Sequence, residues 1–328
     1  MAANMKAVKL RIKSVESTMQ ITKAMELVAS SKLRRAKERS DQCRPYFREL
    51  HQTLVDIAEG NTDFSSVYAK SSSNERCCYV VIAGDRGLAG GYNSNLFKKL
   101  EAAARPAGST ETTSSESSYV VLPIGKKAVE YFQRRKVEIL TEDFATVADI
   151  SVADCFEIAR LLCRQYREGR FGHIELCYTE FVSMLSQRPE VYPMLPLTDL
   201  EKPMTAGTET ETADRTGVKD GAEARDGAGQ GMVSADGKKK SVRDLILYEP
   251  DSSEVFDAIV PEYLGGFIYG GVCDALASEL AARRNAMEAA TSNAEEMIEK
   301  LNLSYNRARQ SSITTELTEI VAGAEGVG

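Results

Sequence analysis

Residues 84–91 read GDRGLAGG, after the apolar run CCYVVI (77–82) and before a helix-prone stretch beginning near Ser94. A glycine-rich turn between strand and helix is an ordinary place for a phosphate, because free backbone N–H groups and the helix dipole converge there. The spacing matches neither common fingerprint. A Walker loop closes on Gly-Lys-Ser/Thr, whereas Gly90-Gly91 here is followed by Tyr92-Asn93, and no G-x-G-x-x-G occurs. The turn therefore reads as a tight connection whose glycines supply positive φ. KLRRAKER (32–39) has the charge of a nucleic-acid patch, but no aromatic residue is interleaved and the whole chain has net charge −7. A solvated helix face is the ordinary reading of such a run, and no nucleic acid is expected. Seven cysteines (43, 77, 78, 155, 163, 177, 273) and two histidines, His51 and His173, show no metal-ligand spacing. They read as reduced, mostly buried thiols. No Ser/His/Asp set and no supportable carboxylate pair emerges, so neither catalysis nor a cofactor is expected of this chain.

The elements around these residues are dominated by the two termini. From Leu276 to Val321 the chain has no Pro or Gly, and small or apolar residues recur at 276, 280, 287, 290, 294, 297, 301 and 308. Steps of four and three are the seam of a left-handed coiled coil. Arg283 and Ser304 interrupt it. The N-terminal stretch repeats the pattern through Val8, Ile12, Val15, Met19, Thr22, Ala29, Leu33 and Ala36, with Glu26 on the seam and Met25 beside it. Residues 1–50 hold twelve Lys/Arg against five Asp/Glu, so this helix is basic. Neither helix buries its stripe alone. The economical arrangement is an antiparallel coiled coil of the two ends, with Val15, Met19 and Met25 against the 276–301 seam. The C-terminal helix, 253–322, would span about 100 Å, longer than a small domain is wide. Pro45 must kink or break the N-terminal helix.

Between the helices, strand and helix alternate. Strands are expected at 77–84, 119–124, 137–140 and 173–182, with 188–197 a proline-interrupted edge. Helices are expected at 94–104, capped by Asn93, at 126–135 and at 151–168. The fold class is α/β: a small, mainly parallel, Rossmann-like domain over 77–200, carried on the coiled coil of residues 1–60 and 253–322. Residues 105–118 form a polar loop. Residues 202–240 hold only Met204, Val218, Met232 and Val233 as large apolar side chains, too few to offset ordering entropy, and read as a disordered insertion. No signal or transit leader is expected ahead of the first helix, and no run of eighteen apolar residues is present.

SVESTMQITKAMELVASSKLRRAKER (14–39) and YNRARQSSITTELTEIV (305–321) resemble the two terminal signatures of the γ subunit of F-type ATP synthase. GDRGLAGGYNSNL (84–96) and LYEPDSSEVFDAIVPEYL (247–264) are similar to its middle, in the same order. Only 105–118 and 202–240 fall outside the resemblance. It implies a non-catalytic central-stalk rotor of bacterial type, on the cytoplasmic face of the cell membrane and peripheral to it. The implied partners are a hexameric α3β3 catalytic head, the ε subunit and the membrane c-ring. The resemblance assigns Arg309 and Gln310 to hydrogen bonds with a catalytic-subunit loop. It sets Met25 and the basic Lys32, Arg34 and Arg35 against the head, and Arg44, Tyr46, Tyr248 and Glu249 near the loops of the ring. A plastid-type γ would carry a cysteine pair in the insertion, and residues 178–272 have none. Two other classes make different expectations. An α/β enzyme using the glycine turn predicts saturable nucleotide binding, and a nucleic-acid regulator predicts salt-dependent binding through 32–39.

Overall fold

The computed structural model describes the backbone of residues 2–60, 65–70, 74–104, 119–197, 249 and 251–325. The side chains of 2–4, 43–44, 59–60, 319 and 321–325 lie outside that description, as do the loop 105–118, the insertion 202–240 and Tyr248.

Two helices of unusual length frame the molecule, α1 (Ala2–Gly60, 59 residues) and α5 (Ser252–Glu325, 74 residues). At 1.5 Å per residue they measure about 90 and about 110 Å. They run antiparallel, and three cross-helix hydrogen bonds set the register. The hydroxyls of Thr22 and Thr291 lie 2.7 Å apart, Ser40 Oγ donates to Asp274 Oδ1 at 3.2 Å, and His51 Nδ1 meets Tyr263 Oη at 3.1 Å. The residue numbers of each pair total 313 or 314, so the register holds over this whole stretch. Leu33 and Ala36 pack against Ala277, Leu280 and Ala281. Ala29, Met287 and Ala294 are also buried, while Val15, Met19 and Met25 are half-buried. Met297, on the expected seam, is instead 44% exposed. With alanine and serine at so many seam positions, the helices approach closely but gain little apolar area. The seam therefore relies on polar contacts such as the threonine pair. Each threonine hydroxyl also reaches its own helix, Thr22 to Met19 O at 3.0 Å and Thr291 to Met287 O at 2.9 Å. A double-mutant cycle of Thr22→Val and Thr291→Val, followed by urea unfolding, should return a coupling of about 0.5–1.5 kcal/mol. Strictly additive losses would show that the hydroxyls do not pair.

Pro45 does not break α1, which continues to Gly60. Turns beyond the proline are pinned to α5: the Phe47 ring lies over Gly266, and His51 meets Tyr263. Such tertiary contacts offset the lost backbone bond, which in a free helix costs about 3 kcal/mol.

The foot is a four-stranded sheet in the order β2-β1-β3-β4, from β1 (Cys77–Ile82), β2 (Tyr119–Ile124), β3 (His173–Phe181) and β4 (Gln187–Leu195). β1 pairs in parallel with β2 and β3, and β4 closes the edge antiparallel to β3. Pro189 and Pro193 fit this edge, where a missing N–H costs nothing on the open side. The stretch 137–140 is not a strand. It contributes only an isolated parallel bridge between Val121 and Ile139. Lys136 ends α3 (Lys126–Arg135) in a left-handed conformation at φ 54°, which leaves too short a run before the turn at 141 to build a ladder.

Alternating strand residues divide two cores. Val80, Ile82, Leu122, Leu176 and Tyr178 face α4 (Val152–Arg167), α5 and the end of α1. Tyr79, Val81, Val121 and Cys177 face α2 (Tyr92–Ala103) and α3. α4 begins in a full capping box, with Ser151 accepting from Asp154 N and Asp154 accepting from Ser151 N.

Candidate functional site

The glycine turn leaves β1 and faces α5. Its first residue, Gly84, donates its N–H to Asn93 Oδ1 at 2.9 Å. Asn93 therefore braces the turn instead of capping α2, whose N-cap is Gly91 without a side-chain bond. Asp85 turns the other way. Its carboxylate accepts from Val147 N at 3.0 Å, Ala148 N at 3.2 Å and Lys126 N at 3.3 Å, tying the turn to the start of α3 and the short 3-10 turn Val147–Asp149. Gly90 adopts φ 57°, as a glycine in such a turn should, and Leu88 also takes a left-handed φ of 65° while 65% exposed.

The strand end of the turn holds a carboxylate of the chain itself. Glu279 of α5 lies against Gly84, is 5% exposed, and takes a hydrogen bond from the Arg86 backbone. Arg283, one helical turn on, donates to Glu279 Oε1 at 2.6 Å and to Gly87 O at 3.3 Å. Burial pushes the Glu279 carboxyl above the usual carboxylate range, while the Arg283 guanidinium pulls it back. Arg283 thus departs from the coiled-coil seam because it belongs to the foot contact. Tyr92 Oη donates to Ala275 O at 3.0 Å, and Asn285 Nδ2 donates to Met184 O at 2.8 Å in the β3–β4 turn. The Arg86 backbone and the Arg283 guanidinium, two donors that could grip an external anion, already hold an internal one.

Of the remaining predicted residues that are described, Met25 is half-buried and the others are exposed. Lys32, Arg34 and Arg35 are exposed on α1, and Arg34 makes only a 3.7 Å pair with Glu38 one turn away. An exposed pair of this kind adds little stability. Tyr46 is 53% exposed and meets Phe47 edge-on, with ring centroids 5.3 Å apart. Glu249 is exposed just before α5. The Arg44 side chain and all of Tyr248 lie outside the described residues. Arg309 and Gln310 are exposed near the far end of α5, on the opposite end of the shaft from Tyr46 and Glu249. Carrying the register to Ala2 sets it opposite residue 312, so α5 extends past its partner helix with Ile313, Leu317 and Ile320 exposed at 48%, 58% and 68%. Sequence reasoning missed Glu279, Asp85 and Tyr92. The only signal was a glutamate and an arginine four apart on a helix, which by itself reads as a surface pair.

An α/β foot closed over its own glycine turn, mounted on an antiparallel two-helix shaft, defines a class of stalk-like proteins. The profile of the family described as ATP synthase matches residues 4–327. The chain is 43% identical over 319 residues to an ATP synthase gamma chain of Ruminococcus albus, covering 97% of this chain and 96% of that one. It is 34% identical over 329 residues to an Acetobacterium woodii protein named ATP synthase gamma chain, sodium ion specific, covering 100% of both. Among solved structures, a chain of the Euglena gracilis mitochondrial ATP synthase in an OSCP/F1/c-ring assembly shares the fold. The TM-score is 0.58 at 17% identity, over 100% of this chain and 95% of that one. The protein belongs to the ATP synthase gamma chain family.

Proposed function

We propose that this gamma chain, in the central stalk of an F-type ATP synthase, transmits rotation of an ion-driven membrane ring to the catalytic sites of the head, and performs no catalysis itself. The observation that carries the reading is the reach of the shaft. From Ala286, just past the last hydrogen bond to the foot, to Glu325 is forty residues of continuous α5, about 60 Å. A helix pair of that length, with its charged and apolar outer faces free, is suited to insertion in a partner. The α3β3 head is the proposed partner of the distal shaft, including Arg309, Gln310, Met25, Lys32, Arg34 and Arg35. The foot, with Arg44, Tyr46, Tyr248 and Glu249, meets the c-ring, and the ε subunit lies beside it. No described helix is long and apolar enough to cross a membrane, and the chain is proposed to sit peripherally on the cytoplasmic face. Rotation biases the catalytic sites because an asymmetric shaft contacts each one differently, which is the condition for any coupling.

With Glu279 inside the glycine turn, the isolated chain should not bind ATP at millimolar concentration or below. Titration calorimetry checks this, and stoichiometric micromolar binding would overturn the non-catalytic reading. Capture of the tagged chain from membranes should bring down the head, ε and ring subunits together.

A further inference from the structure

The foot holds α5 in two different ways along its length. Up to Ala275 the grip is mainly apolar: Phe256, Val260, Leu264, Ile268 and Val272 join the sheet core, with directed bonds at the margin from Ser66 Oγ to Asp257 and from Arg160 to Glu262. From Ala275 onward a line of polar contacts is added, beside the packing of Phe181 on the Leu276–Ala281 stretch. Ala275, Glu279 and Arg283 meet Tyr92, the Gly84–Arg86 turn and Gly87 O in succession. These positions are four residues apart and lie in one line along the helix. The adjacent face of the same window, Ala277, Leu280 and Ala281, is taken by α1. In this window α5 thus meets the turn on one face and α1 on the adjacent one.

We propose that Glu279, with Arg283 and the glycine turn, is a positioning clamp that sets the angle of the foot about the shaft. The proposal rests on the rotor reading above. The lower zone is close-packed and fixes the foot on the shaft there, whereas the polar zone adds directed bonds farther along the helix, where the foot would otherwise be free to sway. Charge-assisted hydrogen bonds have preferred directions and lengths. Arranged along a line off the helix axis, they resist twisting about that axis. Gly84 is part of the device, because a Cβ there would stand 2.8 Å from Glu279 Cδ and Oε1. Any larger residue must push the carboxylate out of the turn.

The test uses assembled complexes immobilised through the head, with a probe on the foot, and reads the angular spread of the foot during each catalytic pause. Glu279→Ala should widen the angular variance by up to about two-fold, because the charged link of the polar zone is lost while the Tyr92–Ala275 and Asn285–Met184 bonds remain. Gly84→Ala should widen it similarly in the native background and add nothing in the Glu279→Ala background, where its Cβ has room. Arg283→Lys should restore part of the stiffness lost in Arg283→Ala. If the Glu279→Ala complex does not assemble, Glu279→Gln, which keeps the volume and one acceptor, carries the test with a smaller widening. Native variance in Glu279 variants that assemble, or strictly additive effects of Gly84→Ala and Glu279→Ala, would overturn the clamp. Failure of the rotor reading looks different: the native complex would show no stepwise motion of the foot.

Discussion

Gly266→Ala should destabilise the protein by about 3 kcal/mol, whereas Gly270→Ala, one turn along the same helix, should stabilise it by up to about 1 kcal/mol. Both changes raise helix propensity equally, so the difference isolates packing. A Cβ on Gly266 would lie 2.0 Å from Cε1 and 2.1 Å from Cδ1 of Phe47, and the neighbouring Gly265 leaves only 2.2 Å to Phe156 Cδ1. The glycine pair is where α1 and α4 both close on α5. A Cβ on Gly270 meets nothing within 4 Å. Overpacking a ring that has no room to turn outweighs the propensity gain, and in the open position the propensity gain stands alone. Urea unfolding followed by circular dichroism measures both. Phe47→Ala should recover part of the Gly266→Ala loss, since it removes the clashing ring while leaving a cavity. Stabilisation by both glycine substitutions would show that the helices do not approach this closely.

Arg309→Ala and Gln310→Ala should each leave folding unchanged and lower ATP turnover of the assembled complex about ten-fold or more. Both side chains are exposed, and among the described residues neither makes a side-chain hydrogen bond or ion pair within the chain, so truncation removes nothing the fold uses. In the proposed function they meet acceptors on the head, and hydrogen bonds to a charged group are worth roughly 1.5–3 kcal/mol. At about 1.4 kcal/mol per factor of ten, that is the expected loss. Resistance of the complex to dissociation should fall in parallel. Apolar exchanges at Ile313, Leu317 and Ile320 should be milder, because an apolar tip asks for size and not for directed bonds. Native turnover and native resistance to dissociation in both alanine variants would make the pair ordinary surface.

Much of this architecture is local and therefore readable in the chain. A four-three repeat of small and apolar residues dictates a helix with one buried stripe, and two such stripes without other partners dictate each other. Apolar runs such as CCYVVI and YVVLPI, rich in β-branched residues and bounded by turn signals, read as buried strands. The proline-rich run at 188–197 could only lie at an edge. The terminal signatures carried the family. These features depend on residues a few positions apart, so periodicity captures them.

Other features depend on which surfaces meet, and those the tertiary structure decided. Pro45 signals a break in any isolated helix, yet packing of Phe47 and His51 on α5 keeps α1 continuous. Asn93 has the local context of a cap, but the N–H of Gly84 claims its side chain. Arg283 looked like a flaw in the seam. It lies on the line of α5 that faces the foot, and its carbonyl partner, Gly87, is 196 residues away in the chain. Nothing near Glu279 in sequence says that a carboxylate will fill the glycine turn, since an acid and a base four apart on a helix look the same in solvent as in an interface. Sequence alone determined which faces had to be buried. Which face met which partner was decided by tertiary packing: the register of α1 on α5 is set by a few hydroxyls and many small side chains, and the packing of Phe256 to Ala275 on the sheet brings the next turns of α5 beneath residues 84–87.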